Sequence, residues 1–557
     1  MFKEKIAKLI SKKFDLDEKE ALSLIEVPPN PSLGDFAFPC FSLAKKLKKS
    51  PALIALDSTD FKDEIIKEVK ATGPYLNFFL ESSFIVDSLK ELKLEFNVKK
   101  ETVLVESPSP NTNKPLHLGH LRNMLLGQST VKLYEKLGHK VVLTEVVNDK
   151  GTHICKSMLA YKLKGEGKTP ESEGVKGDFF VGKYYVLFNE LKEKDPSMEE
   201  KAQEMLVKWE EGDKEVMALW SKMRDWCLEG QRATYKDLDM NIEKTYFESD
   251  IYLDGKKIVT EGLKKGIFEK EENGAIFVNL ESKGLGKKYL QRKDGTSIYI
   301  TQDLYLAKKR FEEYSMDRMV YVVGNEQDYH FKVLFEILKL LGYEFADKCF
   351  HLSYGMVNLP EGKMKSREGT VVDLDPFRLE IISAAKKEVQ SRYEDLSLEE
   401  INRRSEIIGN SALRFFILKH DAKKDMVYNP KESLSFSGES GPYVQYTFAR
   451  ICSIFRKSGL EPSLKPKLLS HDLEKQITYK LLNYKEVIEN SNSNHKPNLV
   501  CNYLLELSQL LTKYYHEVQI INEDKELESS RLYLLDKARF ILKDGLEVLG
   551  IEVLEEM

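Results

Sequence analysis

The sequence has few of the features that mark secreted, zinc-stabilised or membrane proteins. Its 557 residues include only 6 cysteines, and these form no Cys-x-x-Cys pair and have no histidine at zinc-like spacing. No apolar run reaches about 18 residues, the length that spans a membrane. The first residues follow the pattern of an amphipathic helix rather than of a signal peptide. We therefore expect reduced thiols, no structural zinc or other metal centre, no membrane partner and a cytoplasmic location.

Charge and length set further limits. The 85 basic and 90 acidic side chains give a formal net charge of −5, which argues against nonspecific coating of nucleic acid but permits local basic surfaces. With 557 residues, 42% of them hydrophobic, the chain is too long for one core and too apolar for a disordered protein. Several globular domains are expected.

Alternating strand and helix patterns predict a parallel sheet. A β-rich run at Thr102–Val105, a helical pattern at Leu118–Leu137 and a second run at Val141–Leu143 form a β-α-β unit. A second strand and helix pair is predicted at Met319–Val323 and Phe331–Leu341. The sheet is therefore expected to be divided by whatever lies between the two pairs.

The segments around this sheet have their own character. A separate N-terminal module is predicted to end near Asn97, and a mostly helical insertion to run from Gly151 to about Gly286, before a hairpin at Asp294-Gly295. After about Gly438 the apolar residues keep helical spacing, which predicts a C-terminal bundle. The residues that carry this spacing are Val444, Phe448, Ile451 and Phe455, then Leu499, Tyr503, Leu507, Leu511, Tyr514 and Val518.

The first candidate site is His117-Leu118-Gly119-His120, at the start of the first predicted helix. Two imidazoles and free backbone N–H groups would meet there, and the helix dipole would attract phosphate. As four letters alone the motif is as well explained by chance. Its position after a strand, at the carboxyl edge of a parallel sheet where open α/β folds bind ligands, favours nucleotide binding.

The second candidate site is a basic loop from Gly362 to Thr370 that contains Lys363-Met364-Lys365-Ser366-Arg367. Taken alone, such a charge run is usually a solvated loop. Paired with the upstream histidines across a divided sheet, it is better explained as a loop that contacts a triphosphate. Together the two segments indicate attack on the α-phosphate of ATP.

These segments resemble the HIGH and KMSK signatures of class I aminoacyl-tRNA synthetases. Three further stretches, Glu106 to His120, Tyr299 to Asp303 and Tyr321 to His330, resemble the arginyl family, and the resemblance covers essentially the whole chain. It implies an α/β fold with a Rossmann-like parallel sheet split by an inserted domain, an N-terminal α+β module and a C-terminal α-helical bundle. The implied domains are an N-terminal tRNA-elbow-binding module (1–98), the first half of the catalytic domain (99–150), an inserted connective domain (151–286), the second catalytic half with the KMSK-like loop (287–375), a helical junction (376–437) and a DALR-type anticodon-binding domain (438–557).

The resemblance also implies an activity. ATP, with Mg²⁺, would activate L-arginine to arginyl-adenylate, and the amino acid would pass to the terminal adenosine of tRNA(Arg) without a covalent enzyme intermediate. The family expectation is a monomer.

Five residues match the arginine-binding positions of the family: Glu106, Asn111, Tyr299, Asp303 and Gln327. A guanidinium is a planar fork of donors that a carboxylate meets with paired, charge-assisted hydrogen bonds, which makes Asp303, with Tyr299, the favoured reader of that group. Glu106 and Gln327 would share the guanidinium and ammonium contacts in an order that the sequence leaves open. Asn111 would hold the substrate carboxylate.

A further set matches the ATP site. His117, Gly119 and His120 would contact ATP, and Gly324 lies in a matching stretch, while the backbone of Met356 and Val357 would read adenine. Lys363 and Lys365 are the expected triphosphate partners. The loop departs from the Lys-Met-Ser-Lys order, because Ser366 stands in place of the second lysine. In arginyl enzymes that lack this lysine, a lysine before the HIGH segment takes over, and Lys114 stands there.

The remaining expectations concern RNA and the alternatives. Tyr443, Gln445, Tyr446 and Arg450 begin the C-terminal bundle and are candidates for stacking on unpaired tRNA bases, with core packing an equal explanation for each. A smaller nucleotidylyltransferase would share the His-x-Gly-His chemistry but would not explain the bundle. A catalytically silent RNA-binding relative would explain the bundle but not the intact site.

Overall fold

The computed structural model describes residues 2–28, 30–296, 298–358, 372–393 and 395–557. They divide into two compact units. The first consists of Met1–Leu94, Ile451–Tyr484 and Gln509–Ile541, and the second of Glu95–Arg450, Lys485–Ser508 and Leu542–Met557.

The first unit contains a three-stranded sheet of order β1-β3-β2, antiparallel throughout. Its core buries apolar side chains of both the sheet and the first helix, such as Ile6, Phe38 and Phe78, and Tyr479 from the C-terminal helices packs against them. The predicted N-terminal module therefore has a core of its own to which distant sequence contributes. Its elements are α1 (Phe2–Phe14), α2 (Glu18–Leu24), β1 (Phe36–Pro39), α3 (Ala44–Leu47), α4 (Pro51–Leu56), β2 (Ile66–Thr72), β3 (Tyr75–Leu80) and α5 (Ser82–Asp87).

The second unit begins with the predicted β-α-β unit. It consists of β4 (Thr102–Glu106), α6 (Leu118–Lys136) and β5 (Lys140–Val147), and β4 pairs with β5 in parallel. The strands are buried along nearly their whole length, as expected of apolar runs covered on both faces. Strand β4 ends at the acidic residue Glu106, which therefore stands at the carboxyl edge of the sheet.

The inserted region is helical at first but then returns to the sheet. Four of its helices share an aromatic core that includes Phe180, Trp209 and Trp220. They are α7 (Thr152–Lys164), α9 (Gly177–Lys194), α10 (Met198–Glu210) and α11 (Lys214–Asp237), and the short α8 (Pro170–Glu173) lies between α7 and α9 in sequence. The short strand β6 (Lys244–Phe247) then pairs with β5 in parallel. Residues 244–247, which lie inside the mostly helical insertion predicted from Gly151 to about Gly286, thus complete the edge of the central sheet.

A small antiparallel sheet of order β7-β8-β9 follows. The chain reverses at Asp294-Gly295, as predicted, with the Arg292 N–H donating to the Thr296 carbonyl, but the returning arm enters a helix rather than a second strand. The elements are α12 (Glu248–Ile251), α13 (Gly255–Lys264), β7 (Glu269–Lys270), β8 (Ile276–Leu280), β9 (Gly286–Gln291) and α14 (Tyr299–Tyr314).

The predicted second half completes the central sheet. Strand β10 (Arg318–Gly324), helix α15 (Asp328–Leu340) and strand β11 (Cys349–Tyr354) follow, and β10 lies between β4 and β11. The order β11-β10-β4-β5-β6 is parallel throughout. Strands β4 and β10 are thus central neighbours, and the segments that leave their carboxyl ends lie side by side.

The rest of the chain is mainly helical. Val444, Phe448 and Ile451 are buried and Phe455 is half-buried, so the predicted helical face is present. No helix in the described ranges is long and apolar enough to cross a membrane. The elements are β12 (Val357–Asn358), α16 (Leu374–Arg392), α17 (Leu398–Leu418), β13 (Met426–Val427), α18 (Pro430–Ser433), α19 (Gly441–Ser458), α20 (Asp472–Leu482), α21 (Tyr484–Asn494), α22 (Asn498–Glu517) and α23 (Lys525–Val548).

Candidate active site

The His-x-Gly-His segment forms the N-terminus of helix α6. His117 is the N-cap residue, and its Nδ1 accepts from the Gly119 N–H at 3.1 Å, while Nδ1 of His120 accepts from the His117 N–H at 3.1 Å. The two rings lie 3.9 Å apart between centroids. A Cβ at Gly119 would come within 2.9 Å of the His117 ring, so this position requires glycine for local packing.

Burial keeps both imidazoles neutral. Burial, together with the charge of Lys114, lowers the pKa of His117 to about 4 and that of His120 well below its ordinary value. In each ring Nδ1 accepts a hydrogen bond in the helix cap, so the proton of the neutral ring is on Nε2. The pair therefore presents N–H donors suited to a phosphate oxygen.

Lys114 lies beside these rings without a carboxylate. Burial lowers the pKa of its ammonium group, and among the residues that the structure describes no acidic side chain forms an ion pair with it. Its positive charge lowers the pKa values of His117, His120 and His153, which places the three imidazoles around it. An unpaired and largely buried charge is costly for a protein to maintain, so the lack of a resident anion beside Lys114 calls for an explanation.

Helix α11 of the insertion holds the Lys114 loop in place. Gln231 is 1% exposed, and its amide donates to the carbonyls of Asn111 at 3.0 Å and Lys114 at 3.3 Å. On α9, a Cβ at Gly182 would lie 2.7 Å from Pro115. The loop between β4 and α6 is thus fixed from outside the sheet.

Glu106, expected to contact arginine, is already paired within the protein. Its Oε2 accepts from Nη1 of Arg310 at 2.5 Å, and its Oε1 from the Ser109 hydroxyl at 3.3 Å. Arg310 lies on α14 and is fully buried, with Nε and Nη2 unpaired within the described chain. Each carboxylate oxygen of Glu106 thus already accepts one hydrogen bond within the protein, and its charge is shared with Arg310.

Asp303 is the more accessible carboxylate. It lies on α14 and pairs with Nε2 of His330, on α15, at 2.7 Å through Oδ2, while its side chain stays 43% exposed. Tyr299 is 65% exposed at the start of the same helix, and Gln327 is exposed at the N-terminus of α15. Asn111 is half-buried and bridges in parallel to Asn148. Topology brings these residues to one edge of the sheet.

Glu248 is a second acidic residue near Asp303 and Tyr299, and it was not predicted from the sequence. Glu248 directly follows strand β6 and is 7% exposed, and burial together with the charges of Asp149 and Asp303 raises its pKa to about 7. Burial raises the pKa of Tyr299, and the charge of Glu248 adds to this rise. The signal in the sequence was an acid directly after a strand, but strand β6 was not predicted within the mostly helical insertion.

The segment expected to read adenine is partly committed. The Met356 N–H donates to Oδ1 of Asp425 at 2.7 Å, and its carbonyl accepts from the Met426 N–H at 3.0 Å. Val357 pairs with Met426 in the parallel ladder of β12 and β13. The carbonyls on either side of it, those of Met356 and Asn358, accept from the N–H groups of Met426 and Tyr428. In a parallel ladder of this kind the N–H and C=O of Val357 itself point away from β13. The N–H and carbonyl of Val357, which is 2% exposed, are therefore unused in this ladder, while those of Met356 are engaged. Gly324, at the end of β10, lies beside Tyr354.

The residues predicted to contact the triphosphate from the basic loop and those predicted to contact tRNA differ in what the structure describes of them. Lys363, Lys365 and Ser366 lie outside the described residues. Gln445 is fully buried and donates to the Glu552 carbonyl at 2.6 Å, so core packing, rather than contact with RNA, describes it. Tyr443, Tyr446 and Arg450 are half-buried, and the Arg450 guanidinium lies 5.5 Å from the centre of the Tyr446 ring.

The divided parallel sheet, with a helix that begins in His-x-Gly-His at its carboxyl edge, is the architecture of a class I aminoacyl-tRNA synthetase. Comparison with protein families agrees: a model described as tRNA synthetases class I (R), catalytic domain, matches residues 85–429. Models for the arginyl tRNA synthetase N terminal domain and the DALR anticodon binding domain match residues 1–80 and 444–557.

Relatives extend over nearly the whole chain. The arginine–tRNA ligase of Treponema denticola is 44% identical over 96% of this chain and 94% of its own, and that of Parabacteroides distasonis is 42% identical over 94% of each. The solved arginyl-tRNA synthetase of Thermus thermophilus has the same fold, with a TM-score of 0.83 at 24% identity over all of both chains. The chain belongs to the arginyl-tRNA synthetase family, and the fold class expected from the sequence is confirmed.

Proposed function

We propose that the carboxyl edge of the central sheet is where this chain carries out the reaction of its family, arginine–tRNA ligation. In that reaction ATP activates L-arginine to arginyl-adenylate with release of pyrophosphate, and arginine then passes to the terminal adenosine of tRNA(Arg). One observation supports this location above the others. The neutral imidazoles and unpaired cation of the β4–α6 segment lie at the same sheet edge as the partly exposed carboxylate of Asp303.

The β4–α6 segment is proposed to bind the triphosphate. His117 and His120 would donate from Nε2 to phosphate oxygens, and the ammonium group of Lys114 would offset charge that develops on the departing pyrophosphate. Gly119 keeps the first turn open, and the backbone of Val357 near Gly324 would read the adenine. Lys363 and Lys365 are proposed as further triphosphate partners on sequence grounds alone.

Mg²⁺ is proposed to arrive with ATP. No group of three or more His, Cys, Asp or Glu side chains that could hold a metal occurs within the described ranges. Mg²⁺ commonly keeps several waters and binds phosphate oxygens rather than a cage of protein ligands. When bound, it would neutralise phosphate charge.

The arginine side chain is proposed to lie against Asp303. His330 fixes one carboxylate oxygen of Asp303 and leaves the other for the substrate, and Tyr299 stands one helical turn earlier on the same face. Because Glu106 shares its charge with Arg310, that carboxylate would add one weaker contact. Gln327 and Asn111 would complete the set around the ammonium and carboxylate groups.

Transfer of arginine requires the terminal adenosine of the tRNA to reach the carboxyl edge of the central sheet. Tyr443, Tyr446 and Arg450 remain the proposed contacts with RNA. We further propose that the protein acts as a monomer in the cytoplasm, which light scattering of the purified protein and fractionation of cells would check.

The direct test is aminoacylation with purified tRNA(Arg) and ATP, comparing arginine with lysine, glutamine and cysteine. The proposal predicts charging with arginine and none above background with the other three. Charging with a different amino acid, or ATP-independent RNA binding without charging, would overturn it.

A further inference from the structure

A single buried guanidinium, that of Arg122, ties the start of helix α6 to the segment beside the proposed adenine edge. Arg122 is two residues beyond His120 and is fully buried. Within the part of the chain that the structure describes, its side chain donates to backbone carbonyls from two stretches that are far apart in sequence. The acceptors are Gly355 O at 2.7 Å, Met356 O at 3.3 Å, Asp421 O at 3.2 Å, Ala422 O at 3.1 Å and Lys424 O at 2.8 Å.

The two stretches are also bonded to each other. The Gly355 N–H donates to the Ala422 carbonyl at 2.9 Å, and the Met356 N–H to the exposed side chain of Asp425 at 2.7 Å. Strands β12 and β13 continue the contact through Val357 and Met426. The N–H and the carbonyl of Met356 are thus both used within the protein, whereas the N–H and carbonyl of Val357, a residue that is 2% exposed, point away from β13.

Arginine is suited to this position by its shape. A guanidinium spreads its donors in a rigid plane that reaches carbonyls on two sides, whereas an ammonium group places three donors at one point. A buried positive charge needs such a set of partners, since leaving it unpaired costs far more than a lost neutral hydrogen bond. Arg122 therefore fixes where residues 355–357 lie relative to the first turn of α6.

We infer that Arg122 is a positioning residue for ATP, which sets the distance between the histidines of the first turn and the adenine-reading backbone of Val357. This inference rests on the proposed ATP site. Arg122 itself does not touch the nucleotide, and Asp425 acts with it by holding the Met356 N–H. The arginine pocket on α14 and α15 makes no contact in this arrangement, so its properties should be independent of Arg122.

The test is steady-state aminoacylation by Arg122→Lys. We expect the KM for ATP to rise by about tenfold, the scale of one lost hydrogen bond to a charged group, with the KM for arginine within about twofold of the wild type. The inhibition constant of adenosine should rise in parallel. The matched control is Arg414→Lys, which also removes a buried guanidinium. The Arg414 guanidinium donates to the side chain of Gln128 on α6 and to the carbonyl of Leu238, both away from the site. This control should lower the unfolding temperature without changing the KM for ATP.

A surface pair keeps the test decisive if Arg122→Lys folds poorly. Asp425→Ala should raise the KM for ATP, because Met356 loses its acceptor, and Asp425→Asn, which keeps an acceptor oxygen, should restore it. The inference is overturned if Arg122→Lys and Arg414→Lys shift both KM values alike, or if Asp425→Ala leaves the KM for ATP unchanged. A wild-type protein that charges no tRNA would instead refute the proposed function.

Discussion

Replacing Lys114 by methionine separates a catalytic lysine from a structural one. Methionine keeps most of the length of the side chain and removes the charge. In the folded protein burial lowers the pKa of Lys114, so the folded state binds this proton more weakly than the unfolded state does. The charge therefore opposes folding at every pH below the lowered pKa, and stability is regained only as pH rises through that pKa toward 10.5.

Two opposite effects follow for Lys114→Met. The unfolding temperature of the ligand-free protein at neutral pH should stay the same or rise, because a buried, uncompensated charge is gone. The rate of adenylate formation should fall by about 10²-fold, the scale of one transition-state charge contact. Loss of activity without loss of stability is the pattern of a residue retained for chemistry.

The assay is single-turnover formation of arginyl-adenylate with tRNA present, together with thermal unfolding without ligands. A clear drop in unfolding temperature, or a rate within about threefold of the wild type, would refute the reasoning, since one charge contact is expected to be worth about 10²-fold. The variant Ser366→Lys in the Lys114→Met background supplies a cation at the position where the family pattern has one. Partial recovery of the rate is expected, giving non-additive effects in the cycle.

Three further predictions follow from the same site. His330→Ala should raise the KM for arginine several-fold, because Asp303 loses its hydrogen-bond partner. His330→Gln keeps a donor toward Asp303 and should raise this KM less. Steady-state kinetics would measure both, with the KM for ATP as the control. The pKa of Glu248, raised from 4.5 to about 7, means that the folded state holds an extra proton in this range, so this group makes stability fall as pH rises from 4.5 to 7. Denaturant titrations of Glu248→Gln should lack that contribution and show a variant more stable than the wild type above pH 7, and an unchanged pH profile would exclude the assignment. Arginine-dependent exchange between ATP and pyrophosphate should require tRNA, an expectation from family resemblance that robust exchange without tRNA would refute.

Much of the fold could be predicted because its strands and helices have strong periodicity. Strands β4, β5 and β10 and helices α6 and α15 were predicted within a few residues, since each is a buried run or a continuous apolar face. The short strand β6 was missed. Its four residues, Lys244 to Phe247, follow a long helical stretch and have no alternating pattern, and only pairing with β5 in three dimensions makes them part of the sheet.

The candidate site was predictable in its positions but not in its partners. A motif marks Glu106 and Asp303, but the residues that bind them, Arg310 and His330, lie on other faces or other elements. Whether a carboxylate is free depends on such contacts between distant residues. Arg122 shows the same limit, because its five carbonyl acceptors belong to backbone segments more than 200 residues away in sequence.

Pairing of Asp303 with the guanidinium of arginine can be tested by comparing arginine with citrulline, its neutral isostere. Both can be measured as ligands of the wild type and of Asp303→Asn, through the KM for arginine and the inhibition constant of citrulline in the charging reaction. Removing one partner of a charge-assisted pair is expected to weaken arginine by about 10²-fold, while citrulline, which carries no charge to lose, should change by less than about threefold. Equal losses for both ligands would contradict the claim, because they would show that Asp303 shapes the pocket without pairing with the guanidinium.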